Sequence, residues 1–257
     1  MDVRSLEHAS WSELAAAFTA AFADYAVPMT MTADAIERMQ RRRGYDPAVS
    51  FGAYAGGHLV GFVLTCRDGE RVYNSGTGVV PAQRRGGVAR ALLDAVIAAV
   101  GPRPYLLEVL DDNAKAIAFY ASAGFVETRR LQCWSYDGPR APLPVLAAAP
   151  ALPFDVAPSW QNTPASLARA IEPHVLLGDA DGYAAVFPST GDLPLLAVAP
   201  AARRRGLGTR LLAGAAACAD WPLRILNVDA SAHGIAAFLA AAGCRPTVAQ
   251  REMIRVR

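Results

Sequence analysis

The chain has 257 residues and almost no lysine: of its 25 basic residues only Lys115 is one, and the other 24 are arginine. Alongside 53 alanines, that reads as a compositional bias of the source rather than a functional signal. Charge is sparse too. Charged residues make up 19% and the formal net charge is +2, which gives no general reason to expect nucleic acid or an acidic membrane as partner. The four cysteines (Cys66, Cys133, Cys218 and Cys244) include no Cys-x-x-Cys pair, and His8, His58, His174 and His233 form no cluster. A disulfide framework and a metal centre are therefore not expected, and the thiols suit a reducing compartment. No apolar run reaches membrane-spanning length, and the uncharged stretch Ala141–Phe154 contains four prolines. The first residues are too charged for a secretory signal, so a cytoplasmic protein is expected.

What is present is a hydrophobic fraction of 53%, enough for a substantial core and too much for a disordered chain. Pro139, Pro142, Pro144, Pro150, Pro153 and Pro158 crowd the middle of the chain, where neither a helix nor a central strand can run. They mark a linker over 141–159 between units at 1–140 and 160–257. The units resemble each other. VVPAQRRGGVARALL (79–93) aligns with VAPAARRRGLGTRLL (198–212) at an offset of 119, and the same offset places FYASAGF (119–125) on FLAAAGC (238–244). The Pro-x-x-Arg-Arg-x-Gly cluster and the distant Phe and Gly indicate a duplication.

Patterning predicts a mixed α/β fold. In the first half, helices are expected over 11–22 and 32–43, from just after Pro81, and over 114–123. Strands are expected over 49–55, 58–66, 71–80, 105–110 and 125–136. Val88, Leu92, Ala95, Val96 and Ala99 form the buried face of the third helix. The second half repeats strand 193–199, helix 203–219, strand 223–228, helix 231–242 and strand 247–255. Its leading elements are reduced to a helix over 164–171 and two strands around Gly178–Gly182.

In each repeat a strand runs into an Arg/Gly loop that opens directly into a helix. Unpaired amides and the helix dipole make such an N-terminus an anion site. Gly86 and Gly87 permit close backbone approach, while Arg84 and Arg85 add charged donors. Arg203–Gly208 repeats the arrangement, and a pyrophosphate is the ligand that best fits. No Gly-Lys-Ser/Thr and no Gly-x-Gly-x-x-Gly accompanies either loop, which argues against a nucleoside triphosphate or a dinucleotide.

The run VVPAQRRGGVA (79–89) resembles the acetyl-CoA loop of the GNAT superfamily of N-acetyltransferases, and Arg203-Arg-Arg-Gly-Leu-Gly208 resembles it more closely still. Leu107-Glu-Val, Asn113, Ala116-Ile-Ala-Phe-Tyr120 and Gly124-Phe125 resemble the superfamily's second signature block. Together these motifs cover roughly 71–125 and 193–244. The resemblance implies two tandem GNAT-like acyl-CoA N-acyltransferase domains, each a mixed, mostly antiparallel sheet flanked by helices. It also implies that the protein transfers acetyl from acetyl-CoA to a primary amine, without a metal. Pantetheine would pair with the backbone of Gly78, Val79 and Val80. The pyrophosphate would take amides from Arg85, Gly86, Gly87, Val88, Ala89 and Arg90, and in the second half from Arg203, Arg204, Arg205, Gly206, Leu207 and Gly208. Asn113 would reach the pantetheine, Tyr120 would protonate the departing thiolate, and direct amine attack would be helped by strand amides holding the oxyanion.

Each of these residues also has a plainer reading. Tyr120 beside Phe119 suits a core, Asn113 suits a helix N-cap, and Glu108 is either a base lining the cleft or a carboxylate on a solvated face. Asp111 and Asp112 read as capping charges, and Arg41-Arg42-Arg43 as a solvated helix C-terminus. The halves differ where it matters: Leu239 stands opposite Tyr120 and Ala232 opposite Asn113. The first half is therefore expected to catalyse, and the second to bind CoA non-productively or serve structurally. A non-catalytic acyl-CoA sensor, an active site in the second half and an Arg-rich nucleic-acid binder are the rival readings. The acceptor and the oligomeric state are not readable from the sequence.

Overall fold

The computed structural model describes residues 1–24 and 30–256. The first half runs β1 (Asp2–Ser5), α1 (Trp11–Ala21), α2 (Ala33–Arg43), β2 (Phe51–Ala55), β3 (His58–Asp68), β4 (Arg71–Val79), α3 (Val88–Val100), β5 (Tyr105–Leu110), α4 (Ala114–Ser122) and β6 (Val126–Tyr136). The second runs α5 (Pro164–Ala168), β7 (Val175–Asp179), β8 (Gly182–Phe187), β9 (Asp192–Val198), α6 (Leu207–Cys218), β10 (Leu223–Asp229), α7 (His233–Ala241) and β11 (Arg245–Arg255). Local chemistry sets the helix ends. Ser10 and Thr32 accept from Glu13 N and Ala35 N as N-caps of α1 and α2, and Gly44 closes α2 in the left-handed region at φ +83°. The short strand β1 and the start of β11 at Arg245 extend the expected elements, while α5 stops at Ala168, three residues early.

Among the described residues eleven strands form one sheet, in the order β1-β2-β3-β4-β5-β11-β6-β10-β9-β8-β7, and of its pairings only β4–β5 and β9–β10 are parallel. The closing strands are exchanged between halves: β11 pairs with β5 along Tyr105–Leu110, and β6 pairs with β10. The sheet thus has two outer wings, 1–110 and 175–229, joined through β11 and β6 at its centre.

Each wing keeps its own core. Val88, Leu92, Leu93, Val96 and Val100 of α3 pack on Tyr105, Leu107 and Val109, so the buried face is turned toward Leu93 and Val100; Ala99 is exposed. Leu207, Leu211, Leu212 and Ala215 of α6 repeat this against Leu223 and Ile225. The proline-rich stretch is not a free tether. Leu146 N donates to Leu176 O (2.8 Å) and Gly178 N to Pro144 O (2.9 Å), which covers the outer edge of β7. At the end of α2 Arg41 is solvated, but Arg42 and Arg43 are not. Arg42 is buried, ion-paired with Asp192 at 3.2 Å and stacked over Phe187, and Arg43 donates to Ser75 and to Gln161 Oε1 (2.6 Å). Arg42 and Arg43 clamp the two halves together, because the second half supplies Asp192, Phe187 and Gln161 as their partners.

Candidate active site and its second copy

The two Arg/Gly loops are superimposable in their torsions. Arg85 and Arg204 have φ +65° and +61°, and Gly87 and Gly206, the N-caps of α3 and α6, have φ +78° and +77°. A non-glycine residue in the left-handed region costs energy, and its recurrence at the same place in both repeats marks it as a built feature. Neither helix has a side-chain cap; the first intrahelical bonds are Ala91 N to Gly87 O and Arg210 N to Gly206 O. The amides of the first turn are thus left to an external acceptor, which fits an anion such as a pyrophosphate.

The guanidiniums of Arg84 and Arg203 have another task. Arg84 Nε donates to Val79 O (2.9 Å) and its head group pairs with Asp24 (2.6 Å), while Arg203 Nε donates to Val198 O (3.1 Å) and pairs with Asp155 (3.0 Å). Both tie the loop back to the end of its strand, so these two charges are engaged within the chain and the loop offers backbone amides instead. Arg85, Arg204 and Arg205 are exposed beside it, and Arg90 pairs with Asp94 on its own helix.

Beyond each loop the parallel strands part. The β4–β5 pairing ends at Asn74 and Leu107, and past that point the edge of β4 that carries Gly78 and Val79 faces a cleft. The cleft is a cavity of about 310 Å³ bounded by Ala21, Thr77, Gly78, Val79, Asn113 and Lys115, among others. Strands β9 and β10 share a single rung, Asp192–Arg224, and the gap beyond it is a cavity of about 1050 Å³. Leu195, Leu196, Ile225, Leu226 and Phe238 line it, together with Gly206–Gly208 and with Phe154–Ser159 of the proline-rich stretch. The second half therefore holds the larger ligand-sized space, roughly at the top of the range usual for small-molecule sites.

Glu108 is the first residue of β5 past its last rung with β4. Tyr105, Leu107 and Val109 face α3, so Glu108 and Leu106 face the opposite side, where Tyr73, Trp160 and α2 lie. Glu108 Oε2 accepts from Tyr73 OH (2.9 Å) and from Asn227 Nδ2 of β10 (2.6 Å). Its other oxygen, Oε1, is sealed from solvent and has no partner among the described residues. Burial raises the carboxyl to about 7, helped by neighbouring Glu252 and opposed by Tyr73, Arg43 and Arg129. The same burial pushes the Tyr73 phenol well above its ordinary value. Glu252 is itself held by Arg129 (2.8 Å) and Thr128 (2.9 Å).

The remaining expected residues fall as follows. Asn113 is both the N-cap of α4, accepting from Ala116 N at 3.1 Å, and part of the cleft wall. Tyr120 is buried, its ring against Phe119 and Phe125 in the α3 core, and it does not line the cavity beside Asn113. Asp111 pairs with Arg251 of β11 rather than capping α4, and Glu127 shares that arginine. Sequence reasoning missed Tyr73, Trp160, Arg129 and Asn227 as parts of this polar layer. Asn227 did leave a signal, since it occupies the repeat position of Glu108. No group of three or more His, Cys, Asp or Glu among the described residues is gathered to hold a metal, and no described helix is long and apolar enough to cross a membrane.

Residues 11–125 match the acetyltransferase (GNAT) family. No curated protein matches the chain. Among solved structures, the fold is similar to a GCN5-related N-acetyltransferase from Sphaerobacter thermophilus, at 15% identity over 99% of this chain and 95% of that one, with a TM-score of 0.71. It is likewise similar to a tandem GNAT protein from the clavulanic acid biosynthesis pathway, at 17% identity over 98% and 97%, with a TM-score of 0.68. At these identities the likeness is one of fold, and it extends through both halves.

Proposed function

We propose that the protein is an acetyl-CoA-dependent N-acetyltransferase whose first half catalyses, a reading supported by the match of residues 11–125 to the acetyltransferase (GNAT) family and by a fold similar through both halves to tandem GNAT structures. The observation that carries this reading is Glu108, placed where β4 and β5 part, with one buried oxygen unpartnered and a carboxyl raised to about 7. Such a group accepts a proton near neutral pH. The amine nitrogen attacks the thioester carbon, the C–S bond breaks, and Glu108 takes the ammonium proton. The free edge of β4 at Gly78–Val79 holds the pantetheine and the amides of Arg85–Arg90 hold the pyrophosphate; the family resemblance assigns protonation of the departing thiolate to Tyr120, a step that requires its hydroxyl to reach the cleft from the α3 core in which its ring packs. The second half keeps the same loop with a larger cavity, but carries Asn227, Ala232 and Leu239 in place of Glu108, Asn113 and Tyr120. Its role in this reading is to hold a second acyl-CoA without turnover.

The test is release of free thiol from acetyl-CoA across a panel of primary amines. Glu108→Gln and Tyr120→Phe are each expected to lower kcat by on the order of 10²-fold, and Leu239→Ala to leave it in place. Undiminished turnover in both first-half variants would move catalysis away from this site. Calorimetry then separates the halves. Gly86→Glu and Arg205→Glu put a carboxylate at equivalent, open loop positions, outside the left-handed region. Two acetyl-CoA sites, one lost in each variant, are expected. The larger second cavity favours a different outcome as the alternative, a single site lost only in Arg205→Glu, which would make the second half the working one.

A further inference from the structure

The repeat partner of Glu108 is not a distant counterpart; it touches it. We infer that Asn227, a residue of the second half, is a positioning residue for the Glu108 carboxylate of the first, holding one oxygen so that the other is left to receive the proton. This rests on the reading of Glu108 as the base.

Three observations fix the geometry. Asn227 sits at an irregularity of β10 between Ile225 and Val228, buried, with φ +56°. Its conformation is one that asparagine tolerates better than most side chains, and it turns the side chain out of the regular alternation of the strand. Second, the amide has only one workable orientation. Oδ1 accepts from Gln250 Nε2 (3.0 Å) and from Cys133 Sγ (3.1 Å), and the backbone N of Asn227 donates to Cys133 Sγ (3.3 Å). With donors on its oxygen, Asn227 presents Nδ2 to Glu108 Oε2 at 2.6 Å. Third, Tyr73 OH donates to that same oxygen, so both donors crowd Oε2 and none reaches Oε1.

The charges around the pair are accounted for from every side. Tyr73 faces Glu108 from β4, Arg43 from α2, Glu252 across the strand on β11, and Arg129 and Cys133 from β6. Asp229 of β10 and Glu252 are both paired with Arg129. Glu252 disfavours ionisation of Glu108, so the amide of Asn227 matters: it favours the carboxylate at the spot where a second acid, had the repeat kept one, would have opposed it. The divergence of the halves at this position is then a requirement of the strand exchange, which brings the two copies face to face. The second half lacks a base because its amide serves the base of the first.

The direct test does not depend on turnover. Carboxyl-13C-glutamate labelling follows each glutamate's titration by NMR, with Glu108→Gln assigning the Glu108 signal. Asn227→Gly, which suits the positive φ while deleting the amide, is expected to move the Glu108 midpoint up by about one unit, the loss of one charge-assisted hydrogen bond. Asn227→Asp is expected to move it further up, and Gln250→Met, which frees the amide to turn, to move it in the same direction by less. An unmoved midpoint in Asn227→Gly and Asn227→Asp overturns the inference. The kinetic readout separates this from the base assignment. If Glu108 is the base, the acid limb of kcat/KM in Asn227→Gly shifts with the NMR midpoint, about fivefold less activity near pH 7 that is regained at higher pH, while KM for acetyl-CoA is kept. A shifted midpoint with an unshifted acid limb would leave the amide–carboxylate contact intact as a finding and remove Glu108 as base.

Discussion

Glu108 shows how one buried side chain can set both reactivity and stability. Its carboxyl titrates near 4.5 when exposed and is raised to about 7 by burial in the fold, so the folded state binds the proton more tightly than the unfolded chain does. For an acid displaced in that direction, stability is highest while both states are protonated and declines as pH rises from about 4.5 through 7. The cost of ionising it in place is about 3 kcal/mol. Urea unfolding between pH 4.5 and 8 is expected to show wild type losing stability relative to Glu108→Gln across that window. Parallel curves would mean that the carboxylate is solvated in the folded protein. The same residue also shows why the sequence left its role open. A glutamate between Leu107 and Val109 alternates as a surface residue would, and the partners that bury it, Tyr73 and Asn227, lie 35 and 119 positions away.

At the scale of elements, the strand–loop–helix unit is where sequence and structure agree most closely, because its geometry is set by local torsions. Gly87 and Gly206 need positive φ, and a Cβ at either meets nothing within 4 Å. The cost of Gly87→Ala is therefore backbone strain alone, about 1 kcal/mol. Gly86→Ala, outside the left-handed region and open, is expected to be neutral or to stabilise by a few tenths of a kcal/mol. Urea denaturation of the two variants tests this, and a larger loss for Gly86→Ala than for Gly87→Ala would mean that the two glycines have exchanged roles. The helices and strands were legible from apolar spacing and from the turn residues between them. The four-residue β1 was not, since Asp2–Ser5 carries no apolar alternation and is a strand only because β2 offers it an edge.

At the scale of the whole molecule, the exchange of β6 and β11 makes the halves mutually dependent. A cut near the linker leaves 1–140 with β5 stripped of its β11 partner, and leaves 141–257 with β10 stripped of β6. The arginine clamp of α2 on Asp192 and Gln161 is severed as well. Expressed separately, each fragment is expected to unfold at lower urea than the full chain or to self-associate through the bared strand. Mixed together they are expected to recover a one-to-one complex on size exclusion. Two monomeric fragments with the full-length unfolding midpoint would show that the exchange contributes no stability.

The sequence by itself determined the duplication, the α/β class, the two Arg/Gly strand–loop–helix units and the lack of a counterpart to Tyr120 and Asn113 in the second half. These are local matters of torsion, periodicity and residue identity. Only the tertiary structure decided that the repeats share one sheet, that Arg42 and Arg43 at the end of α2 turn inward, that the larger cavity lies in the second half, and that Asn227 meets Glu108. The two closing strands are both 11 residues long and both pair antiparallel with their neighbours. Nothing in their own residues states which parallel wing each will complete. Side-chain partners on both sides of the centre settle that choice: Arg129 with Glu252, Arg251 with Asp111 and Glu127, and the amide of Asn227 with the carboxylate of Glu108. They are brought together only when both halves fold.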